Sequence, residues 1–317
     1  MSVISPPAVD VALPPPPDRR RRNHRRKPLH SNRVKLLFVL PALFAFLLVV
    51  FVPVFINLGY AMTNWNGFSP TLEWVGFDNF IRLLGDPGAR QATINTLIFT
   101  LINAPVQLVI GLILALSLNG SGPVRNVLRV VIVMPIAISG VVIGFLGTII
   151  FDPRSGLLAA AAGLPGLSWV GQNYLGNPAL AMGTVIIMDV WRGVGLTMLI
   201  FLAGLATIPS EVQEAATLDG ANPWQRFTNI TWPLLAPSAT INVVLGVIGG
   251  LKVWDIIYVL TNGGPGRATE SIVMHILAQG SFGDVGYSAA TSFAMTIFIF
   301  VISALLLVYL RRREMKA

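Results

Sequence analysis

Four charged residues stand where charge is expensive. Asp189 and Arg192 lie in one apolar stretch and Lys252 and Asp255 in another, each pair three residues apart. In hydrocarbon such a residue costs about 2.5–3.5 kcal/mol on insertion scales, so the four must face a polar interior and neutralise one another. The i,i+3 spacing puts the members of each pair on one helix face. With the two stretches antiparallel, Asp189 and Lys252 reach similar depth, and an ion pair between them is expected. Trp254 and Tyr258 stand beside them. An aromatic face beside carboxylate and guanidinium groups makes a site for a small polar solute. Asp189, Arg192, Lys252, Trp254, Asp255 and Tyr258 therefore form a candidate substrate path. The same charges would equally serve as a salt-bridge network that only holds helices together. Asn103, Gln107 and Asn242 are weaker candidates, because polar residues between membrane helices commonly act as packing glue.

A second constellation is polar throughout, from Ile208 to Pro233. Ser210 and Gln213 have the spacing of a capping box that opens a helix through Ala215 and Ala216. Gly220 stands where a left-handed stop is needed. Asn222 can cap a second helix, with Pro223 at its first position and Gln225 three residues after the cap. Pro233 then closes that helix. Helix, glycine elbow and helix would project as a knob with a small-residue flank (Ala215, Ala216) and acidic points at Glu211, Glu214 and Asp219. A plain connection between spans would need none of this capping, so a docking role is favoured over a solvated loop.

Other chemistries are excluded by composition. There is no cysteine, so thiolate metal sites, disulfides and cysteine nucleophiles are absent. The histidines His24, His30 and His275 are scattered, with no helical face to hold zinc. None of the four lysines follows a glycine, so no phosphate-binding loop exists, and any ATP hydrolysis belongs to another chain. No metal, no cofactor and no nucleic acid is expected on this chain, and it is not itself expected to be an enzyme.

The elements that must position these residues are membrane spans. Charged residues make up 11% of the 317, against roughly a quarter in a soluble domain. Uncharged intervals of 18 residues or more recur along the chain, each enough to cross a ~30 Å hydrocarbon layer. Spans are expected near 36–60, 93–118, 127–150, 180–207, 234–260 and 286–310, with 155–178 an external, re-entrant-like loop. The first is too long for a signal h-region and no small-x-small cleavage site follows it. Residues 1–35, with Pro14–Pro17 and the run Arg19–Lys27, read as a disordered basic tail. With both termini cytoplasmic, 16 Lys/Arg fall inside and 4 outside, as the positive-inside rule requires. Trp65, Phe68, Trp74, Phe77 and Phe80 crowd the first external loop. Interfacial anchoring accounts for them, with docking of a partner as the sharper alternative.

Glu214-Ala215-Ala216, Gly220, Ile230 and Pro233 together resemble the EAA loop of permease subunits of ABC importers, with Trp232 where that family usually has leucine. Asp255-Ile-Ile-Tyr-Val-Leu-Thr-Asn-Gly-Gly-Pro265, Gly286-Tyr-Ser-Ala-Ala290, Leu40-Pro41-Ala42, Thr63-Asn-Trp65 and Val75-Gly-Phe-Asp-Asn-Phe80 resemble the sugar-importing branch, most closely its maltose-type first permease. The likeness runs from about residue 36 to the end.

The resemblance implies an all-α, six-span polytopic membrane protein with the type I importer permease fold. It divides the chain into a basic tail (1–35), a first span with its external loop (36–92), a transmembrane core (93–311) with a coupling loop (209–231), and a cytoplasmic tail (312–317). It further implies a bacterial cell membrane and an assembly with a second homologous permease, two ATPase subunits that use ATP and Mg, and an external substrate-binding lipoprotein. Six spans without internal duplication independently suit half of a pathway built between two related halves. The substrate so implied is a disaccharide such as trehalose or maltose, and the likeness extends to mycobacterial trehalose-type permeases. Family sugar contacts in the fifth span are asparagines, where this chain has Lys252 and Val253. A stand-alone ion-coupled carrier or channel with Asp189 and Lys252 as a proton relay is the alternative, though it leaves the knob without a purpose.

Overall fold

The computed structural model describes residues 32–314, with side-chain surroundings from residue 39. Most of the basic tail and the last three residues lie outside that range. The chain separates into two compact units at Val52/Pro53. The first holds α1 (Asn32–Phe46), beginning ahead of residue 36, and a π-turn at Leu47–Phe51.

The second unit begins within α2 (Val52–Ala61) and continues through α3 (Asp78–Gly85), α4 (Pro87–Leu118), α5 (Pro123–Val133), α6 (Gly140–Ile150) and α7 (Leu157–Ala162). It then runs through α8 (Pro178–Leu205), α9 (Ser210–Leu218), α10 (Pro223–Arg226), α11 (Trp232–Leu251), α12 (Asp255–Leu260), α13 (Ile272–Ser281) and α14 (Val285–Glu314). Among the described residues there is no strand, only an isolated bridge between Thr63 and Trp74. Five helices are long and apolar enough to span a membrane, or six if the bent α5–α6 pair is one span. The all-α, multi-span expectation holds.

Local chemistry sets where the long helices start. Asp86 caps α4 by accepting from the Gly88 amide, with Pro87 at the first position. Asn177 does the same for α8, followed by Pro178. Both follow the rule that a polar cap and an N1 proline satisfy or remove orphan amides.

Two spans are not straight rods. The third bends by 101° at the break between Ala137 and Gly140, where a 3₁₀ turn at Met134–Ala137 carries Pro135 and Ser139 recaps α6. The fifth does not reach 260. It unwinds after Leu251, and α12 restarts at Asp255. Its other end is longer than expected, because α10, a π-turn at Phe227–Thr231 and α11 form one helix from Pro223 to Leu251. Pro233 therefore does not close a helix. It lies inside that helix, directly after the π-turn at Phe227–Thr231, and a local π adjustment of this kind accommodates a proline within a membrane helix. The last helix likewise continues through Arg311–Arg313 to Glu314.

α4, α8 and α11 pack on one another and carry two apolar clusters. Phe99, Val185, Met188, Ile256 and Leu260 form the cluster distal to the 209–231 loop. Ala115, Met198, Phe201, Leu205 and Leu235 form the proximal one. The polar residues of α4 and α8 fall between them.

Candidate functional site

Between the two clusters lies a cavity of about 440 Å³, walled by α4, α8, α11 and the break that follows α11. Asp189 sits on its wall with 7% of its surface exposed. The carboxylate is held from two helices. Asn103 Nδ2 donates to Oδ2 at 2.8 Å, Gln107 Nε2 donates to the same oxygen at 3.3 Å, and Arg192 Nη2 lies 2.9 Å from Oδ1. Arg192 also reaches Asp255 Oδ2 through Nη1, at 3.3 Å. One guanidinium thus holds two carboxylates, and its fork geometry makes that possible.

The expected Asp189–Lys252 pair is not formed. Arg192, one turn along the same helix, satisfies Asp189 first. Lys252 is the C-terminal cap residue of α11, its backbone N–H directed at Ile248 and Gly249 carbonyls. Nor do Lys252 and Asp255 share a helix face, because the chain unwinds between them. Lys252 lines the cavity without an ion-pair partner among the described residues.

Asp255 depends on a neighbour absent from the expected set. A Cβ on Gly140, at the first turn of α6, would overlap Asp255 Oδ2 and crowd Arg192 Nη1. Glycine there lets the bent third span close over the ion pair. Asn103, Gln107 and Asn242 all line the cavity, so the amides ranked as packing glue belong to the site. Tyr258 does not. It lines a second cavity of about 580 Å³ on the far side of Trp254, and Trp254 borders both.

The 209–231 region is two helices about an elbow, as expected, with two changed details. Pro209, extended, is the residue before α9, and Ser210 makes no cap. Gln213 instead donates to Thr231 Oγ1 at 3.2 Å, tying α9 to the π-turn. Gly220 is left-handed at φ +77°. The amide of Ala221 bonds the Ala216 carbonyl and that of Gly220 bonds the Thr217 carbonyl, a complete Schellman stop. The Asn222–Gln225 capping box is reciprocal, both bonds 2.9 Å. Glu211, Glu214, Ala215, Asp219 and Gly220 are exposed, whereas Ala216 is buried and packs inward. The flank therefore offers one alanine, not two. Its apolar points are Leu218 and Trp224, 89% and 69% exposed, which the acidic pattern had overshadowed.

A third cluster had no signal in sequence order. His275, 2% exposed, has Asp86 Oδ2 3.2 Å from Nε2 and Glu270 Oε1 3.4 Å from Nδ1. Arg267 pairs with Glu270, and Tyr287 donates its hydroxyl to Asp86 at 2.5 Å. Asn95 donates to the carbonyls of Arg267 and Glu270. Burial pushes both carboxyls up, but donors prevail and hold each below the ordinary carboxylate value: Tyr287 and the Gly88 amide at Asp86, His275 and Arg267 at Glu270. The cluster fastens the start of α4 and the start of α14 to the turn before α13.

The sequence matches the family described as "Binding-protein-dependent transport system inner membrane component" over residues 107–315. It is 34% identical over 275 residues to the trehalose/maltose transport system permease protein MalF of Thermococcus litoralis, covering 87% of this chain and 92% of that one. A probable ABC transporter permease protein of Bacillus subtilis, YurN, is 34% identical over 271 residues, covering 84% and 92%. Among solved structures, the bacterial alginate ABC transporter in complex with an alginate pentasaccharide-bound periplasmic protein has a chain similar to this one. It superposes with a TM-score of 0.71 at 25% identity, covering 88% of this chain and 93% of that one.

Proposed function

Because the chain belongs to the family of binding-protein-dependent transport system inner membrane components and is a sugar ABC importer permease, we propose that its 440 Å³ cavity is half of the path for a disaccharide such as trehalose or maltose. One observation carries this reading. The cavity and the 209–231 elbow lie on the same two helices, because α8 leads into the elbow and the Pro223–Leu251 helix leads out of it. A push on the elbow therefore moves two cavity walls at once.

In this reading Glu211, Glu214, Ala215, Asp219 and Gly220, with Leu218 and Trp224, seat the elbow on a separate ATPase that consumes ATP and Mg, while Ala216 holds α9 in place. Asp189, Arg192 and Asp255, with Asn103 and Gln107, present hydrogen-bonding edges to sugar hydroxyls, and Trp254 offers a ring face. The partners are a second homologous permease, two ATPase subunits and an external binding lipoprotein. Both termini are cytoplasmic, which puts the elbow inside and the His275 cluster outside. The trehalose/maltose relative supports the substrate class. The proton-relay alternative loses its pair, since Asp189 is bound to Arg192 and not to Lys252.

The reading is tested with the whole complex in proteoliposomes. Glu214→Lys, on the exposed face, should leave the chain in the membrane while sugar uptake and binding-protein-stimulated ATPase fall together by tenfold or more. Wild-type uptake in that variant would sink the coupling assignment.

A further inference from the structure

Tyr258 was expected on the substrate path, but it lines the separate 580 Å³ cavity and not the inner one. We infer that this second cavity is an outer station for one ring of a neutral sugar, separated from the inner cavity by Trp254. The inference rests on the sugar-path reading and extends it.

The partition is a consequence of the backbone. α11 stops at Leu251 and α12 starts at Asp255, so Trp254 belongs to neither helix and its backbone is off both (φ −153°, ψ −45°). That places one indole on the wall of both cavities. One turn along α12, Tyr258 stands 55% exposed, its ring centroid 6.1 Å from that of Trp254 and the planes 49° apart. Two ring faces at an open angle make a recess suited to the flat C–H face of a pyranose, and both rings are exposed to it, at 40% and 55%. Volumes of 440 and 580 Å³ both lie in the range of small-ligand sites.

The polar groups on the wall select among sugars. Asn262, in the turn after α12 at φ +48°, brings an amide to the rim. Glu270 brings a carboxylate whose oxygens already take Arg267 but retain lone pairs for a hydroxyl donor. Because Arg267 and His275 engage Glu270 from behind, the carboxylate is fixed in place. A carboxylate fixed in this way has acceptor oxygens only, so it takes sugar hydroxyls and offers no donor to the carboxylate of an acidic sugar. The station therefore suits neutral pyranosides rather than uronates.

The experiment uses the complete importer with its binding protein in proteoliposomes, with trehalose and maltose as probes and an oligouronate as the acidic comparison. Tyr258→Ala should raise the half-saturating concentration of loaded binding protein about tenfold, and Tyr258→Phe should restore it to within about twofold. Glu270→Gln should narrow the preference for neutral over acidic sugar. Asn103→Ala, at the inner cavity, separates the two readings. If Asn103→Ala is defective and Tyr258→Ala behaves as wild type, the outer station is wrong and the inner path stands. If the wild-type complex takes up neither probe, both readings fall. If Tyr258→Ala loses the second permease on size-exclusion chromatography, the recess is a subunit interface, and the inference is overturned.

Discussion

Asp189 and His275 are both almost fully buried, yet the networks around them are built on different plans. Around Asp189, two acids share one cation, and the open side is a cavity. Around His275, two acids, an arginine, a tyrosine and an asparagine close on one another from three stretches of chain. The first leaves hydrogen-bonding edges free for a visitor, and the second spends its edges internally except where Glu270 faces the outer cavity. The difference separates a site from a fastening. A polar network that faces a cavity can exchange partners, while a closed one fixes the elements it joins.

The comparison breaks most sharply at Arg192. Arg192→Met leaves two carboxylates without their shared cation, one of them buried. A cost of about 3 kcal/mol is expected, the low end for breaking a buried pair, because the Arg192 side chain is 28% exposed. Thermal unfolding of the purified complex reads that loss, and uptake should vanish. Adding Asp189→Asn should return most of the stability without returning uptake. Recovery of both would make this network a fastening as well.

Gly140→Ala tests the same site through shape alone. Its Cβ would displace Asp255 from Arg192, and overpacking of this kind costs about 1–3 kcal/mol. Uptake should fall more than stability does, because Asp189 keeps its cation. Equal losses would mean that the Arg192–Asp255 bond is only structural.

At the closed cluster, Tyr287→Phe removes one hydrogen bond to a carboxylate, worth about 1.5 kcal/mol. The ring and its edge-on contact with His275 remain, so uptake should keep its half-saturating concentration. Asp86 and Glu270 also give this cluster a pH signature. Both are depressed in the folded chain, so their stabilisation is complete above the ordinary carboxylate pKa of about 4 and is lost as pH falls through the lower folded values. Melting curves between pH 5 and 3 should show a fall in stability that shrinks in an Asp86→Asn, Glu270→Gln double variant. An unchanged slope would place the acid-sensitive groups elsewhere.

What was legible in the sequence follows the range of the forces involved. Gly220, Asn222 and Gln225 obey rules that act within one helix turn, and the elbow formed as read. Uncharged intervals located the spans, since hydrocarbon thickness alone sets their length. The bend near residue 138 escaped because apolar composition does not change there, and the unwinding at 252–254 escaped because the i,i+3 spacing of Lys252 and Asp255 fits a continuous helix equally well. The choice of Arg192 over Lys252 depends on which cation the backbone aims at Asp189, which spacing alone does not encode. His275 met Asp86 and Tyr287 only because three stretches of chain converge, so each looked like a solitary residue.

Lys252 supplies the smallest effect and the finest discrimination. It was expected to be half of a buried pair, and it stands on the cavity wall without one among the described residues. Replacing an unpaired, partly solvated lysine by methionine removes a charge but keeps the apolar stem, so Lys252→Met should change stability by less than about 0.5 kcal/mol. Its influence, if the cavity is the path, is on what passes. Removing the one cation among its described lining residues that is not already committed to a carboxylate should shift the ranking of sugars in competition uptake while leaving melting curves superimposable. A large destabilisation would show that Lys252 has a structural partner after all. An unchanged ranking would confine recognition to the Arg192 side of the cavity.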